Sequence, residues 1–210
     1  MKKIKICGIT RKEEIDWLNE AGVDYAGFIQ FYPKSKRNLP LEEAEKLLPL
    51  LKDTIQSVAV TVSPTKEQLE QIRRAGFDVV QIHGEVGDEI LDGVRIPIWK
   101  AFNVSDLSEF ERFEEKENVV GYVFDAQIPG SGETFDWELL NKIPVTSKLT
   151  ILAGGLNPAN VAEAIRATDV DGVDTSSGVE NDDGVGKNKE KISMFVEEAR
   201  LAQMSVEEAR

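Results

Sequence analysis

One cysteine, Cys7, and one histidine, His83, are all that the 210 residues contain of either type. A single thiol excludes an intramolecular disulfide and fits a reducing compartment. One thiol and one imidazole, with no spaced acidic cluster at strand ends, do not make a metal-ligand set. No apolar run approaches the roughly 18 residues of a membrane-spanning helix. Lys2 and Lys3 lead into a mixed segment, not into the apolar core of a signal peptide. A Lys/Arg-rich tract is missing as well, and the net charge of −13 disfavours nucleic acid and anionic lipid as partners. Gly130-Ser131-Gly132 opens no amphipathic helix after a strand, so a dinucleotide fingerprint is absent too. These absences leave a cytoplasmic protein, monomer or homodimer, whose partner is a small molecule.

What is present is enough for a core. Hydrophobic residues make up 41% of the chain, which suits one compact domain over residues 1–210. Short Val-, Ile- and Phe-rich runs recur at Ile4–Gly8, Tyr25–Gln30, Ser57–Val62, Val79–His83, Ile98–Phe102, Val119–Asp125, Leu149–Ala153 and Gly172–Thr175. They hardly alternate with polar residues, as expected of parallel strands covered on both faces.

Helical periodicity fills the gaps. Lys12–Ala21 ends at Gly22, Leu41–Leu51 follows Pro40, and Thr65–Ala75 ends at Gly76. Ser105–Glu117 and Lys187–Ala202 are amphipathic. Val86–Gly93 reads as a turn or two and Trp137–Lys142 as a short helix. Pro158–Thr168 is expected to start with Asn157 as N-cap and Pro158 at the first helical position. Eight such βα units in this length predict a (β/α)8 TIM barrel. A doubly wound open sheet usually has five or six strands and would leave units over.

In a TIM barrel the chemistry sits at the C-terminal ends of the strands. Those ends carry Cys7, Gln30, Thr61, His83, Asn103, Asp125, Gly154-Gly155 and Asp174 to Gly178. A lone cysteine is often only a buried small hydrophobe. Here strand alternation puts Lys5 on the same face as Cys7, and a nearby cation favours the basic thiolate. Asp125 ends the apolar run Val119–Phe124 and precedes a Pro/Gly loop. It can be a cap, an ion-pair partner, or a general acid whose proton is retained by burial.

Gly154-Gly155 and Ser176-Ser177-Gly178 follow the seventh and eighth strands, where TIM barrels often bind phosphate through backbone N–H groups. Lys34-Ser35-Lys36-Arg37 is the one compact basic cluster at the mouth, and its arginine suits a carboxylate. His83 shares a face with Gln81 and is expected to line the pocket. Strands one and eight adjoin in a closed barrel, so Lys5 is expected to pair with Asp174.

Eight motifs in order resemble the phosphoribosylanthranilate isomerase family. They are Lys5 to Arg11, Gly27-Phe28, Pro33 to Arg37, Gln81 to Gly84, Asp125, Gly130-Ser131-Gly132 with Phe135-Asp136-Trp137, Ala153 to Pro158, and Val173 to Glu180. The resemblance spans nearly the whole chain. It departs from the family in one extra residue before Lys34 and in Thr175, where valine is usual. It implies an Amadori rearrangement of N-(5′-phosphoribosyl)anthranilate in tryptophan biosynthesis, with Cys7 as general base and Asp125 as general acid. It further implies Arg37 on the anthranilate carboxylate, phosphate at the two glycine loops, and no cofactor.

The rival readings are another phosphate-binding TIM-barrel sugar isomerase and a non-catalytic phosphate-binding barrel. Metal-dependent epimerases need more histidines than one, and an intact Cys7 and Asp125 argue against a dead barrel.

Overall fold

A computed structural model describes residues 1–104, 106–125 and 145–208. Eight strands run parallel: β1 Lys3–Cys7, β2 Tyr25–Ile29, β3 Gln56–Val62, β4 Val79–His83, β5 Ile98–Asn103, β6 Val119–Asp125, β7 Leu149–Leu152 and β8 Gly172–Thr175. Each pairs with the next, and β8 closes the barrel on β1 in the register Lys3↔Gly172, Lys5↔Asp174. The strand runs lack polar alternation because both faces are covered.

The inner face carries Cys7, Tyr25, Val58, Val60, Val79, Trp99, Ala101, Val123, Ile151 and Ala153. The outer face carries Ile4, Ile6, Ala26, Phe28, Val80, Ile82, Phe102, Tyr122 and Phe124, packed under the helices. Tyr25 and Trp99 lie near the N-terminal ends of their strands and meet edge-to-face at 4.7 Å. They fill that end of the interior, which leaves the opposite, C-terminal end as the mouth.

The helices are α1 Lys12–Ala21, α2 Leu41–Leu47, α3 Lys66–Arg74, α4 Asp88–Leu91, α5 Phe110–Glu114, α6 Val161–Ala167 and α7 Lys189–Glu208. α1 ends where Gly22 takes left-handed backbone and its N–H caps the Leu18 carbonyl. α3 starts with a capping box between Thr65 and Gln68. α2 is shorter than its periodicity suggests: Pro49 turns its last residues into a 3-10 turn over Leu48–Leu50.

Three further helix expectations need correcting. α6 does not start at Pro158. Asn157 Oδ1 accepts from Ala159 N–H, Asn160 Oδ1 accepts from Asn157 N–H, and both amides donate to the Gly155 carbonyl. These local bonds make a turn that ties down the Gly155 loop, so the helix begins only at Val161. The amphipathic reading of Ser105–Glu117 shrinks to Phe110–Glu114, because Asp106 bonds the Ser108 N–H and hydroxyl and holds a turn ahead of it. α7 begins two residues later and runs further than Lys187–Ala202. Trp137–Lys142 and the motif at Gly130 to Trp137 lie outside the described residues. Among the described residues, no helix is long and apolar enough to cross a membrane.

Candidate active site at the barrel mouth

One pocket opens among the C-terminal strand ends, and Cys7, Arg37, Gln81, His83, Asp125, Gly154, Gly155, Asp174, Ser176 and Ser177 line it. In the closed order β1 and β6 are three strands apart through β8 and β7. Cys7 and Asp125 therefore face the same cavity from different walls. Sequence had put all of these residues but Gln81, which it placed two residues back on the face of His83, at a strand end or in the loop after it; the structure brings them around one space.

Lys5 lies one step below Cys7 and is fully buried. Its Nζ donates to Asp174 Oδ2 at 2.6 Å, across the β1–β8 register. The expected ion pair is present. Burial opposes the Lys5 charge, but Asp174 and Cys7 outweigh it and the lysine stays protonated. Burial raises Asp174 despite Lys5, and among the described residues its Oδ1 has no hydrogen-bond partner.

The thiol itself departs from expectation. Burial is the largest influence on Cys7 and lifts it above the ordinary cysteine value, although Lys5 and Lys187 both pull it down. A single neighbouring cation was expected to favour thiolate. In the folded chain, loss of water around the sulfur together with the nearby Asp174 charge outweighs two cations, so the resting group is the thiol.

Asp125 ends β6 half-buried. His83 ends β4, with Nε2 2.8 Å from Gln81 Nε2. Burial first, then the charges of Lys100 and Lys5, push its pKa down to about 3. The imidazole is neutral at any working pH, which suits pocket lining rather than proton transfer. Among the described residues, no group of three or more His, Cys, Asp or Glu side chains converges on a metal position.

The two glycine loops meet at the same mouth. Gly154 and Gly155 take consecutive positive φ of 98° and 65°, a turn that side chains with a Cβ resist. Among the described residues, the N–H groups of Gly154, Gly155 and Ser177 donate to no protein acceptor. Pocket-facing loops with unspent N–H donors are what an anion needs. Gly178 lets the loops touch: a Cβ there would lie 1.9 Å from the Leu156 carbonyl oxygen. Thr175 adds a bond to that same carbonyl at 2.6 Å. Gly178→Ala is expected to force the loops apart. Affinity for inorganic phosphate, measured by calorimetry, should fall at least about tenfold, the scale of one or two lost hydrogen bonds to a charged group. Unchanged affinity would show that this contact does not shape a phosphate site at these loops.

Two residues that the site reading had passed over belong here. Lys187 is buried, and its Nζ donates to the Ser176 carbonyl at 3.0 Å and hydroxyl at 3.2 Å. The Ser176 hydroxyl in turn donates to the Cys7 carbonyl at 2.9 Å. Lys187 thus joins the β8 loop to the end of β1 and is the second cation beside the thiol. Glu180 accepts from Arg37 Nε, from Lys36 Nζ at 2.9 Å and from Lys187 Nζ at 3.4 Å. Lys187 gave no signal in the sequence, since a lysine at the start of the amphipathic stretch Lys187–Ala202 reads as solvated helix surface.

The Arg37 loop has the extra residue, yet Arg37 still lines the pocket. Phe31 adopts a left-handed φ of 57°. Asn38 closes the loop by accepting from Tyr32 N–H at 2.7 Å, and Leu39 N–H returns to the Ile29 carbonyl.

Fold and mouth together define a class: a TIM-barrel enzyme suited to acid–base chemistry on a small anionic molecule. Residues 4–198 match the family model described as N-(5′-phosphoribosyl)anthranilate (PRA) isomerase. An N-(5′-phosphoribosyl)anthranilate isomerase of Thermoanaerobacter sp. (strain X514) is 38% identical over 206 residues, covering 95% of this chain and 98% of the relative. The crystal structure of the Thermus thermophilus phosphoribosyl anthranilate isomerase superposes with a TM-score of 0.83 at 30% identity, covering 96% and 99% of the two chains. A phosphoribosyl anthranilate isomerase in complex with reduced 1-(o-carboxyphenylamino)-1-deoxyribulose 5-phosphate superposes with a TM-score of 0.77 at 34% identity, covering 95% and 99%. The chain belongs to the N-(5′-phosphoribosyl)anthranilate isomerase family.

Proposed function

We propose that Cys7 and Asp125 are the general base and general acid with which this chain converts N-(5′-phosphoribosyl)anthranilate to 1-(2-carboxyphenylamino)-1-deoxyribulose 5-phosphate. The single observation that carries the assignment is that the lone thiol and the β6 carboxylate line one pocket from walls three strands apart. A bound sugar has a face toward each.

Asp125 gives its proton to the furanose ring oxygen. The C1′–O bond breaks, and the nitrogen lone pair forms the C1′=N iminium. Cys7 first loses its thiol proton to solvent, and the thiolate then takes the proton from C2′. The electron pair of that C–H bond moves into C1′–C2′, and the iminium π pair returns to nitrogen. The resulting enolamine tautomerises to the ketone. Since the iminium accepts the electrons, the chemistry balances without metal or organic cofactor.

The electrostatics favour this order. Burial keeps Cys7 protonated at rest, while Lys5 and Lys187 already oppose that. The cationic iminium adds a third positive charge next to the sulfur at the moment a thiolate is required. Arg37 takes the anthranilate carboxylate, and the N–H groups of Gly154, Gly155 and Ser177 take the phosphate. In this reading the enzyme works in the cytoplasm of a tryptophan-making cell, as a monomer or homodimer.

Asp125→Asn tests the acid. The amide keeps the shape but has no proton of comparable acidity to give, so kcat should fall about 10²–10⁴-fold while the product analogue still binds. Wild-type turnover in the variant would move the acid role elsewhere, with Asp174 the next group to test.

A further inference from the structure

Arg37 is held in an unusual way for a ligand-binding arginine. Its Nε donates to Glu180 Oε1, and its backbone N–H donates to the Ser35 hydroxyl oxygen. Among the described residues, its two Nη groups have no protein partner. The guanidinium lines the pocket, whereas Glu180 sits behind it and is not part of the pocket wall. The edge of the fork is anchored and its two prongs are left for a ligand.

Glu180 can serve as an anchor because it is itself fixed. Its side chain is 7% exposed. Lys36 holds Oε2 at 2.9 Å and Lys187 approaches Oε1 at 3.4 Å. Burial pushes its pKa up, but the Arg37 and Lys36 hydrogen bonds prevail and hold it at about 2. Three cations surround one carboxylate, so the cluster keeps a net positive charge in a chain of net −13. Lys187 spends its shorter bonds on Ser176, at 3.0 and 3.2 Å. The β8 loop therefore does not depend on Glu180.

We propose that Glu180 is a positioning residue that aims Arg37, and that it sets the enzyme's preference for an aryl amine with an ortho-carboxylate. This rests on the functional reading above. A free arginine must give up rotamer freedom to form a two-pronged carboxylate bond, and in so acidic a chain it would turn to a surface carboxylate instead. Fixing Nε removes that freedom in advance and leaves the Nη pair in one plane, ready for a planar carboxylate. Loss of Glu180 should reduce recognition of the carboxylate and spare recognition of the phosphate.

The test is a ligand-by-variant comparison of dissociation constants on the full chain. The probes are 1-(2-carboxyphenylamino)-1-deoxypentitol 5-phosphate, its phenylamino counterpart without the carboxylate, and inorganic phosphate. The wild type should prefer the carboxylated probe by roughly 10- to 100-fold, the range of a charge-assisted pair. Glu180→Ala should reduce that preference to below about threefold. Glu180→Gln, which keeps one oxygen for Nε, should fall between, and inorganic phosphate should bind all three proteins alike.

A preference in Glu180→Ala within twofold of wild type would overturn the proposal. So would an equal loss for both organic probes, which is the mark of a merely structural role. If Glu180→Ala does not fold, as judged by circular dichroism, Glu180→Gln decides, and a preference reduced less than twofold there overturns it. A wild type without preference overturns both the Arg37 assignment and this inference. Wild-type turnover of phosphoribosylanthranilate then shows whether the isomerase reading stands without them.

Discussion

Cys7→Ser is expected to lower kcat/KM about 10²–10⁴-fold, the range for removal of a general base. The hydroxyl is far less acidic than the thiol, so almost no alkoxide forms to accept the C2′ proton, even with Lys5 and Lys187 nearby. The fold should not suffer, because serine is smaller and the wall around position 7 already contains polar groups. Binding of inorganic phosphate should stay within about twofold, since the glycine loops are untouched. The pH profile adds a second measurement. Burial raises Cys7 above its ordinary value, so wild-type kcat/KM should rise with pH on the alkaline side as the thiol of the free enzyme ionises. That limb should vanish in Cys7→Ser. A variant retaining more than about a tenth of wild-type activity would remove Cys7 from the base role.

Lys5→Met is expected to be the largest loss of stability from one substitution at the site. Methionine fills the space but leaves Asp174, 7% exposed on its side chain, without its counter-charge. Breaking a buried pair on one side costs about 3–5 kcal/mol. In a chain of this size that is a Tm lower by on the order of 10 °C.

The pH dependence identifies the cause. Asp174 already titrates above its ordinary value because of burial, and Lys5 is the main influence that lowers it. Without Lys5 the folded value rises further above the unfolded one. A carboxyl raised in the fold favours folding when protonated and loses that contribution as pH rises through its folded pKa. The deficit of Lys5→Met should therefore be full above the folded pKa of Asp174 in the variant and shrink as pH falls toward the ordinary Asp range. Lys5 itself is raised above 10.5, so its contribution in the wild type is present below that pH and is lost only at higher alkalinity. Thermal melts of both proteins at several pH values provide the comparison. A loss under about 1 kcal/mol, or one that does not change with pH, would mean that the pair contributes little net stability.

The sequence by itself determined the barrel and most of the pocket. Eight short Val-, Ile- and Phe-rich runs without polar alternation, each followed by a helical-period segment, read as strands covered on both faces, and period two along β1 put Lys5 and Cys7 on one side. Closure of the barrel then made Asp174 the neighbour of Lys5. These inferences rest on local periodicity and strand adjacency, which are visible in one dimension.

Tertiary structure alone decided what depended on competition. Asn157 is an adequate N-cap by type, but its loop is used to fasten Gly155, and α6 waits until Val161. The amphipathic stretch from 105 to 117 yields to Asp106 and forms only a short helix. Whether Cys7 rests as thiol or thiolate depends on a balance between lost hydration and two cations, one of them 180 positions away along the chain. Lys187 and Glu180 were the residues least visible in sequence. Their work consists of contacts across β8, the β1 end and the Arg37 loop, and burial in those contacts is what turns surface-type charges into fixed, directional ones.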